Sequence, residues 1–369
     1  RQRKELWDSF PTVMVMEEAQ PKRDAYRLIR GAYDNPGELV TPDVPSVLPP
    51  LPEGQEKNRL AFARWLVDPT NPLPARVTVN RFWQMYFGTG LVKTADNFGA
   101  QGDFPSHPEL LDRLATTFID SGWDVKEMQR TIVMSATYRQ SSAVSPELLE
   151  RDPENRLLAR STRVRLPAPM IRDQALAISG LLSERLGGPS VGPYQPSGLW
   201  DDIVERGQVY RQSQGEDLYR RSLYTFWKRT RGPPAMVTFD ASTREVHILG
   251  PTRTNTPLQA LNLMNDVTYA EAARALAERA MGEGTTVGES VSYMYRLATA
   301  HEPDLETRSI LADAFTGHFD QYQTDRAGAL LLVSAGESPR NETLDIAELA
   351  AYQMAVSYTH LTLPTNREV

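Results

Sequence analysis

The sequence predicts a mainly α-helical protein, an irregular multi-helix fold with a few short strands and long loops. Three observations carry that expectation. Apolar residues recur at helical spacing in many separate runs, as with Val79, Phe82, Trp83 and Tyr86. Helix-start and helix-stop residues bracket those runs. Strand-like composition, by contrast, is confined to short segments near the N-terminus and to one aromatic stretch in the middle.

In chain order, residues 1–41 open with a short charged helix candidate. Two short strands follow by β-branched content, residues 12–16 (TVMVM) and 25–29, before a turn at 31–37 rich in Gly, Asn and Pro. Residues 42–52 (PDVPSVLPPLP) hold five prolines, which favour an extended strap over sheet pairing. The expected organisation is therefore a linker or end of a preceding domain over 1–52 and a helical domain over 53–356.

Within the helical domain, residues 59–67 and 77–87 form the first two helices, the second stopped by Gly88 and Gly90. Ser106-His107-Pro108-Glu109 matches a capping box with Pro at the first helical position, and its helix runs to about Asp120. Residues 126–135 give another helix. Residues 167–186 read as a long amphipathic helix closed by Gly187-Gly188-Pro189. Residues 190–215 lack periodicity and read as a long loop. Over 218–228 the alternation of Leu223, Thr225 and Trp227 with Tyr224 and Phe226 favours a strand. Helices resume over 256–265, 267–281, 287–300 and 305–321, and from Ile346. Residues 357–369 (SYTHLTLPTNREV) abandon the pattern and read as a non-native tail, and a chain opening on Arg1 reads as a piece of something longer.

Composition narrows the function classes. A net charge of −7 disfavours nucleic acid, whose binding requires a basic field to displace counterions. No run approaches the ~20 apolar residues of a membrane span. The chain has no cysteine, which removes disulfides, thiolate metal sites, thiol catalysis and covalent haem attachment within it. Five scattered histidines form no metal-ligand spacing, so no cofactor or metal is expected in this chain.

Two segments carry candidate chemistry. In 238–247 (TFDASTREVH), Asp240, Arg244 and His247 place acid, base and imidazole close together, as a proton-transfer site or an ion-paired turn would. Arg253, Asn255 and Asp266 extend that polar group along RTNTPLQALNLMND, whose Thr256-Pro257 reads as an N-cap with Pro at N1. In 206–231, Tyr210, Arg220, Arg221, Tyr224, Trp227 and Arg229 interleave guanidinium groups with aromatic rings. That mixture suits an anionic polysaccharide, because rings stack on sugar faces and arginine forks onto carboxylate or sulfate. It equally suits a buried aromatic strand with solvated arginine flanks.

The blocks NRFWQMYFGTGLV (80–92), SHPELLD (106–112), SATYRQSS (135–142), RRSLYTFWKRT (220–230) and RTNTPLQALNLMND (253–266) together resemble one family. It is the C-terminal domain of unknown function of the large planctomycete-type cytochrome-c-associated proteins. The resemblance runs from about Asn58 to Val356. It implies an exported protein, periplasmic or at the cell surface, with an export signal and a haem c domain ahead of Arg1 and a link to polysaccharide breakdown. It carries no catalytic residues. Where the family often has Cys before the Arg-Thr-Asn-Thr-Pro block, this chain has His247, so a thiol-dependent role fails here. Two functions are expected on these grounds. One is a non-catalytic binding or scaffold module that contacts anionic polysaccharide and the preceding domains. The other is an enzyme, a hydrolase or haem-coupled oxidoreductase, acting on polysaccharide.

Overall fold

The computed structural model describes residues 2–10, 12–199, 210–228, 231–250 and 252–357. Half of the chain is helical, with fifteen helices and two short strands among the described residues. The chain divides into two compact units, Arg1–Gln140 with Glu150–Ala159, and Ser141–Leu149 with Arg160–Val369.

The first unit begins with α1 (Gln2–Asp8) and an exposed antiparallel hairpin of β1 (Ala25–Leu28) and β2 (Pro36–Val40). Residues 12–16, expected as a strand, carry no sheet pairing. Val13, Met14, Val15 and Met16 lie exposed, and β-branched composition alone makes no strand without a partner edge. The proline-rich strap pairs with no strand but turns at residues 45–48, where the Leu48 amide donates to the Pro45 carbonyl at 3.0 Å, and the indole of Trp65 donates to the Pro49 carbonyl at 2.6 Å. Then follow α2 (Arg59–Leu66), α3 (Leu73–Phe87), α4 (Pro108–Asp120), α5 (Val125–Met134) and α6 (Ala136–Arg139). Asn58 and Asp124 cap α2 and α5 by accepting first-turn amides.

Val79, Trp83, Phe87, Leu111, Phe118, Met128 and Ile132 form the core of α3, α4 and α5. Trp83 stacks on Phe87 at 4.1 Å, and Trp123 meets Phe118 edge-on at 5.0 Å. Asn80 is fully buried on α3, and its amide clasps the backbone of Val92 from both sides, at 3.0 and 2.8 Å. Gly90 is glycine for that reason, since a Cβ there would lie 2.5 Å from the Asn80 amide nitrogen. The expected capping box at α4 does not form. Its N-cap is His107, without a side-chain cap bond, because the Ser106 amide is tied to the Leu91 carbonyl at 2.8 Å and the Ser106 hydroxyl faces the His107 ring at 3.1 Å.

Beyond α7 (Pro146–Arg151), the second unit contains α8 (Ala168–Ser179), α9 (Pro234–Thr238), α10 (Pro257–Asn265), α11 (Val267–Glu283), α12 (Val287–Thr299), α13 (Leu305–Thr324), α14 (Arg326–Val333) and α15 (Ile346–Val356). Helix α8 is about two turns shorter than its sequence predicts. Gly180, at φ +82°, ends it in the left-handed conformation well before Gly187. Residues 218–228 form no continuous strand. Two 3-10 turns, Gly215–Tyr219 and Ser222–Tyr224, leave only isolated bridges at Arg220, Thr225 and Lys228. The polar residues Arg220, Ser222 and Thr225 turn inward while Leu223 and Phe226 face out, the reverse of an amphipathic strand. Helix α14 has no apolar periodicity in its AGALLLV run. It starts because Asp325 accepts from the Gly328 amide at 2.8 Å.

Alanine lets the core helices approach closely. Ala272, Ala273, Ala277 and Ala280 of α11 are buried in one cluster with Ala350, Ala351 and Ala355 of α15. Against that apolar packing, α11 also buries Glu271 and Arg274 completely.

Candidate functional site

Helix α9 is a five-residue turn entered through Pro233 and Pro234 and closed at Phe239. Asp240 follows at φ +60°, a conformation that asparagine and aspartate tolerate better than most residues. Its carboxylate accepts from the Arg165 guanidinium at 2.5 Å, from the Thr254 amide at 2.7 Å and from the Thr254 hydroxyl at 2.8 Å. Arg165 also donates to the Phe239 carbonyl at 3.2 Å and lies 5.5 Å from the centre of the Phe239 ring. Gln259, buried on α10, completes the joint by donating to the Thr238 carbonyl and the Thr254 hydroxyl, both at 3.1 Å. The 3.4 Å contact from the Thr256 amide to the Gln259 carbonyl oxygen forms part of the α10 capping box.

The charges at this joint do not balance. The Arg165 side chain is only 8% exposed, and its Nε atom is buried without a partner. Burial lowers the pKa of Arg165, against the opposing pull of the Asp240 charge. Burial likewise lowers the pKa of half-buried Arg253, and the neighbouring positive charge of Arg165 lowers it further. Arg253 makes no hydrogen bond or ion pair with any described residue. Arg244 lies 4.4 Å over the ring of Trp227, whose indole packs on the helical core and against Gly232.

Of the residues singled out from sequence, Asp240, Arg244, Arg253 and Trp227 thus gather around α9. His247 and Asn255 are exposed, and neither bonds to a described residue. Asp266 lies in a different group, capping α11 through the Thr268 amide at 2.9 Å and facing Arg172.

The arginine–tyrosine set expected to stack on sugars is largely internal. Arg220 is fully buried, with its guanidinium bonded to the carbonyls of Pro189 and Arg185 at 3.1 Å and to that of Gly187, and lying 3.7 Å over the Tyr224 ring. The Tyr224 hydroxyl accepts from the Gly187 amide at 2.8 Å. Tyr210 donates to the Pro193 carbonyl, and burial pushes its phenol up to about 12. These residues hold the 185–193 segment in place. Arg221 stays half-exposed, 3.9 Å from Asp173, and Arg229 lies outside the described residues.

Sequence reading missed Arg165, the residue that organises the joint. Its basic run, Arg160, Arg163 and Arg165, offers a weak signal, because charge alternation along an extended segment is common on surfaces.

The chain belongs to the PSD1 family of proteins of unknown function (DUF1553), whose model matches residues 58–315. That span covers the whole α9 joint and its supporting helices α8, α10 and α11. No curated protein and no solved structure matches the chain. No helix among the described residues is long and apolar enough to cross a membrane, and no group of His, Cys, Asp or Glu there is arranged to hold a metal ion.

Proposed function

We propose that this chain is a binding module for anionic polysaccharide, recognising the polymer's acid groups with Arg253 and Arg165 and also with Arg244. The supporting observation is Arg253, a half-buried guanidinium beside a second, deeply buried one, with no carboxylate bonded to it among the described residues. Two like charges out of water repel, and an incoming carboxylate or sulfate relieves that repulsion while accepting charge-assisted hydrogen bonds. Arginine recognises the acid group here in place of ring stacking, since Trp227 is engaged by Arg244 and Tyr224 by Arg220. The setting proposed with it is an exported, cytochrome-c-associated protein in the periplasm or at the cell surface, with haem c in a preceding domain.

Affinity electrophoresis through gels containing polygalacturonate, alginate, chondroitin sulfate or neutral xylan tests the reading. The acidic gels retard the protein and xylan does not. Arg253→Ala weakens retardation about 10–100-fold, the value of about 1.5–3 kcal/mol for a hydrogen bond to a charged group. Migration unaffected by every acidic polymer rules the function out.

A further inference from the structure

A cavity of about 400 Å³ opens on the second unit between the end of α11, α12 and the start of α13. Its lining holds no aliphatic side chain. Three carboxylates, Glu283, Glu289 and Glu302, share it with the guanidinium groups of Arg296 and Arg308 and the hydroxyls of Ser292 and Tyr293. Part of this lining is already paired. Arg296 bonds Glu302 at 2.7 Å. One oxygen of Glu289 accepts from the Thr285 amide at 2.9 Å and the Thr285 hydroxyl at 2.6 Å. Those bonds hold its carboxyl below the usual carboxylate range, so Glu289 stays charged at neutral pH.

Two opposite charges in the lining are not paired. The side chains of Arg308 and Glu283 bond to no described residue and form no ion pair with each other, although they line one cavity. Gly288, on the first turn of α12, lets the Arg308 guanidinium lie against the backbone. A Cβ there would come 2.5 Å from its Nη2 and 2.9 Å from its Nε. The hydroxyls keep bonding capacity. Ser292 donates to the Gly288 carbonyl at 2.7 Å and can still accept, and Tyr293 accepts from Arg279 at 3.2 Å and can still donate. These charges select what enters. A plain anion meets three carboxylates, a plain cation meets the unpaired Arg308, and an apolar group finds no aliphatic wall. A molecule carrying both signs answers both unpaired groups at once. The volume lies at the lower end of the roughly 300–1,000 Å³ of small-molecule sites, which suits something the size of an amino acid or dipeptide.

We propose that this cavity binds a small zwitterion of the α-amino-acid type. The ligand's carboxylate takes the parallel N–H bonds of the Arg308 fork. Its ammonium group is received by Glu283, by the other oxygen of Glu289 and by the Ser292 hydroxyl. The Tyr293 hydroxyl donates to the ligand carboxylate or to a polar side chain. The cavity shares no residue with the α9 joint, so binding here neither requires nor predicts polysaccharide binding there.

Thermal melts of the full chain with about 10 mM L-lysine, L-glutamate, L-serine or glycylglycine test the proposal, because a ligand that binds only the folded state raises Tm. Propionate and propylamine, which carry the acid or the amine alone, are the controls. At least one zwitterion is expected to raise Tm, and neither control is. Arg308→Ala and Glu283→Gln are each expected to weaken binding of that zwitterion about 10-fold or more, read from the concentration needed for the same shift. Both residues are exposed, so the variants keep the fold. No shift with any of the four zwitterions overturns the proposal. So does a shift with propionate or propylamine as large as that with the best zwitterion, or either variant binding like the wild type. Arg308→Ala is expected to migrate through acidic gels as the wild type does, and Arg253→Ala to keep the zwitterion shift, so the two sites fail separately.

Discussion

Arg274 and Arg253 present the same guanidinium group in opposite settings within one unit. Arg274 is 1% exposed on α11 and has carboxylates beside it, although its Nε atom, like that of Arg165, is buried without a partner. It pairs with Glu278 at 2.7 Å, donates to the Ser338 carbonyl at 2.8 Å and stands 3.9 Å from Glu271. Glu271 in turn accepts from the Tyr219 hydroxyl at 2.8 Å and the Ser338 amide at 2.6 Å. Gly336, at φ +88°, is pressed so close that a Cβ would sit 2.1 Å from the Glu271 carboxyl carbon. The α11 network clamps the 336–341 loop to the core. Around α9 the accounting differs: Asp240 is the carboxylate bonded to Arg165, and Arg253 has none among the described residues. A buried charge paired by the chain's own carboxylates is architecture, and on the proposed reading one without a carboxylate beside it is a place for a ligand.

Breaking the clamp gives the largest expected effect. Arg274→Ala leaves Glu271 buried without its neutralising neighbour and costs about 3–5 kcal/mol of stability, read by chemical denaturation, with polysaccharide binding unchanged in the folded fraction. Gly336→Ala forces a side chain into a left-handed backbone and onto Glu271, and is expected to destabilise by more than about 1 kcal/mol. Arg253→Ala inverts the pattern. It lowers acidic-polymer affinity about 10–100-fold, yet stability holds or rises slightly because repulsion with Arg165 is removed. Arg244→Gln removes only the charge stacked on Trp227, worth about 0.5–1 kcal/mol, and a drop of a few-fold in affinity is expected.

The pH dependence of stability reads the buried setting of Asp266. Because the folded-state pKa of Asp266 is raised, the folded chain binds the extra proton, and stability falls as pH rises from the ordinary aspartate range through the raised value. Asp266→Asn flattens that part of the stability–pH curve. A slope that persists in the variant assigns it to another group.

The helices were legible where apolar periodicity and caps agree, as at α3, α5, α11 and α13, because each of those signals is local. What escaped is non-local. Ser106 has the sequence of a cap and is diverted by the Leu91 carbonyl, and Gly180 ends α8 although the apolar pattern runs on. Residues 218–228 alternate like a strand, yet Arg220 is drawn inward by carbonyls more than 30 positions away. The same limit applies to the candidate site. Asp240, Arg244 and Arg253 stood out as charged residues in two neighbouring segments. Arg165, which bonds Asp240 from 75 residues upstream and lies beside Arg253, is visible only in three dimensions. Arg220 and Tyr224 looked like a binding surface because composition does not distinguish an arginine facing water from one facing carbonyls.

On the proposed reading, Arg253 is held in the fold for a ligand and not for stability. Thermal melts of the wild type and Arg253→Ala, with and without oligogalacturonate at low salt, test it most directly. The oligosaccharide is expected to raise the Tm of the wild type alone, and without it the variant is expected to melt at the same temperature or higher. A variant that melts lower on its own and gains as much from the oligosaccharide as the wild type would contradict it.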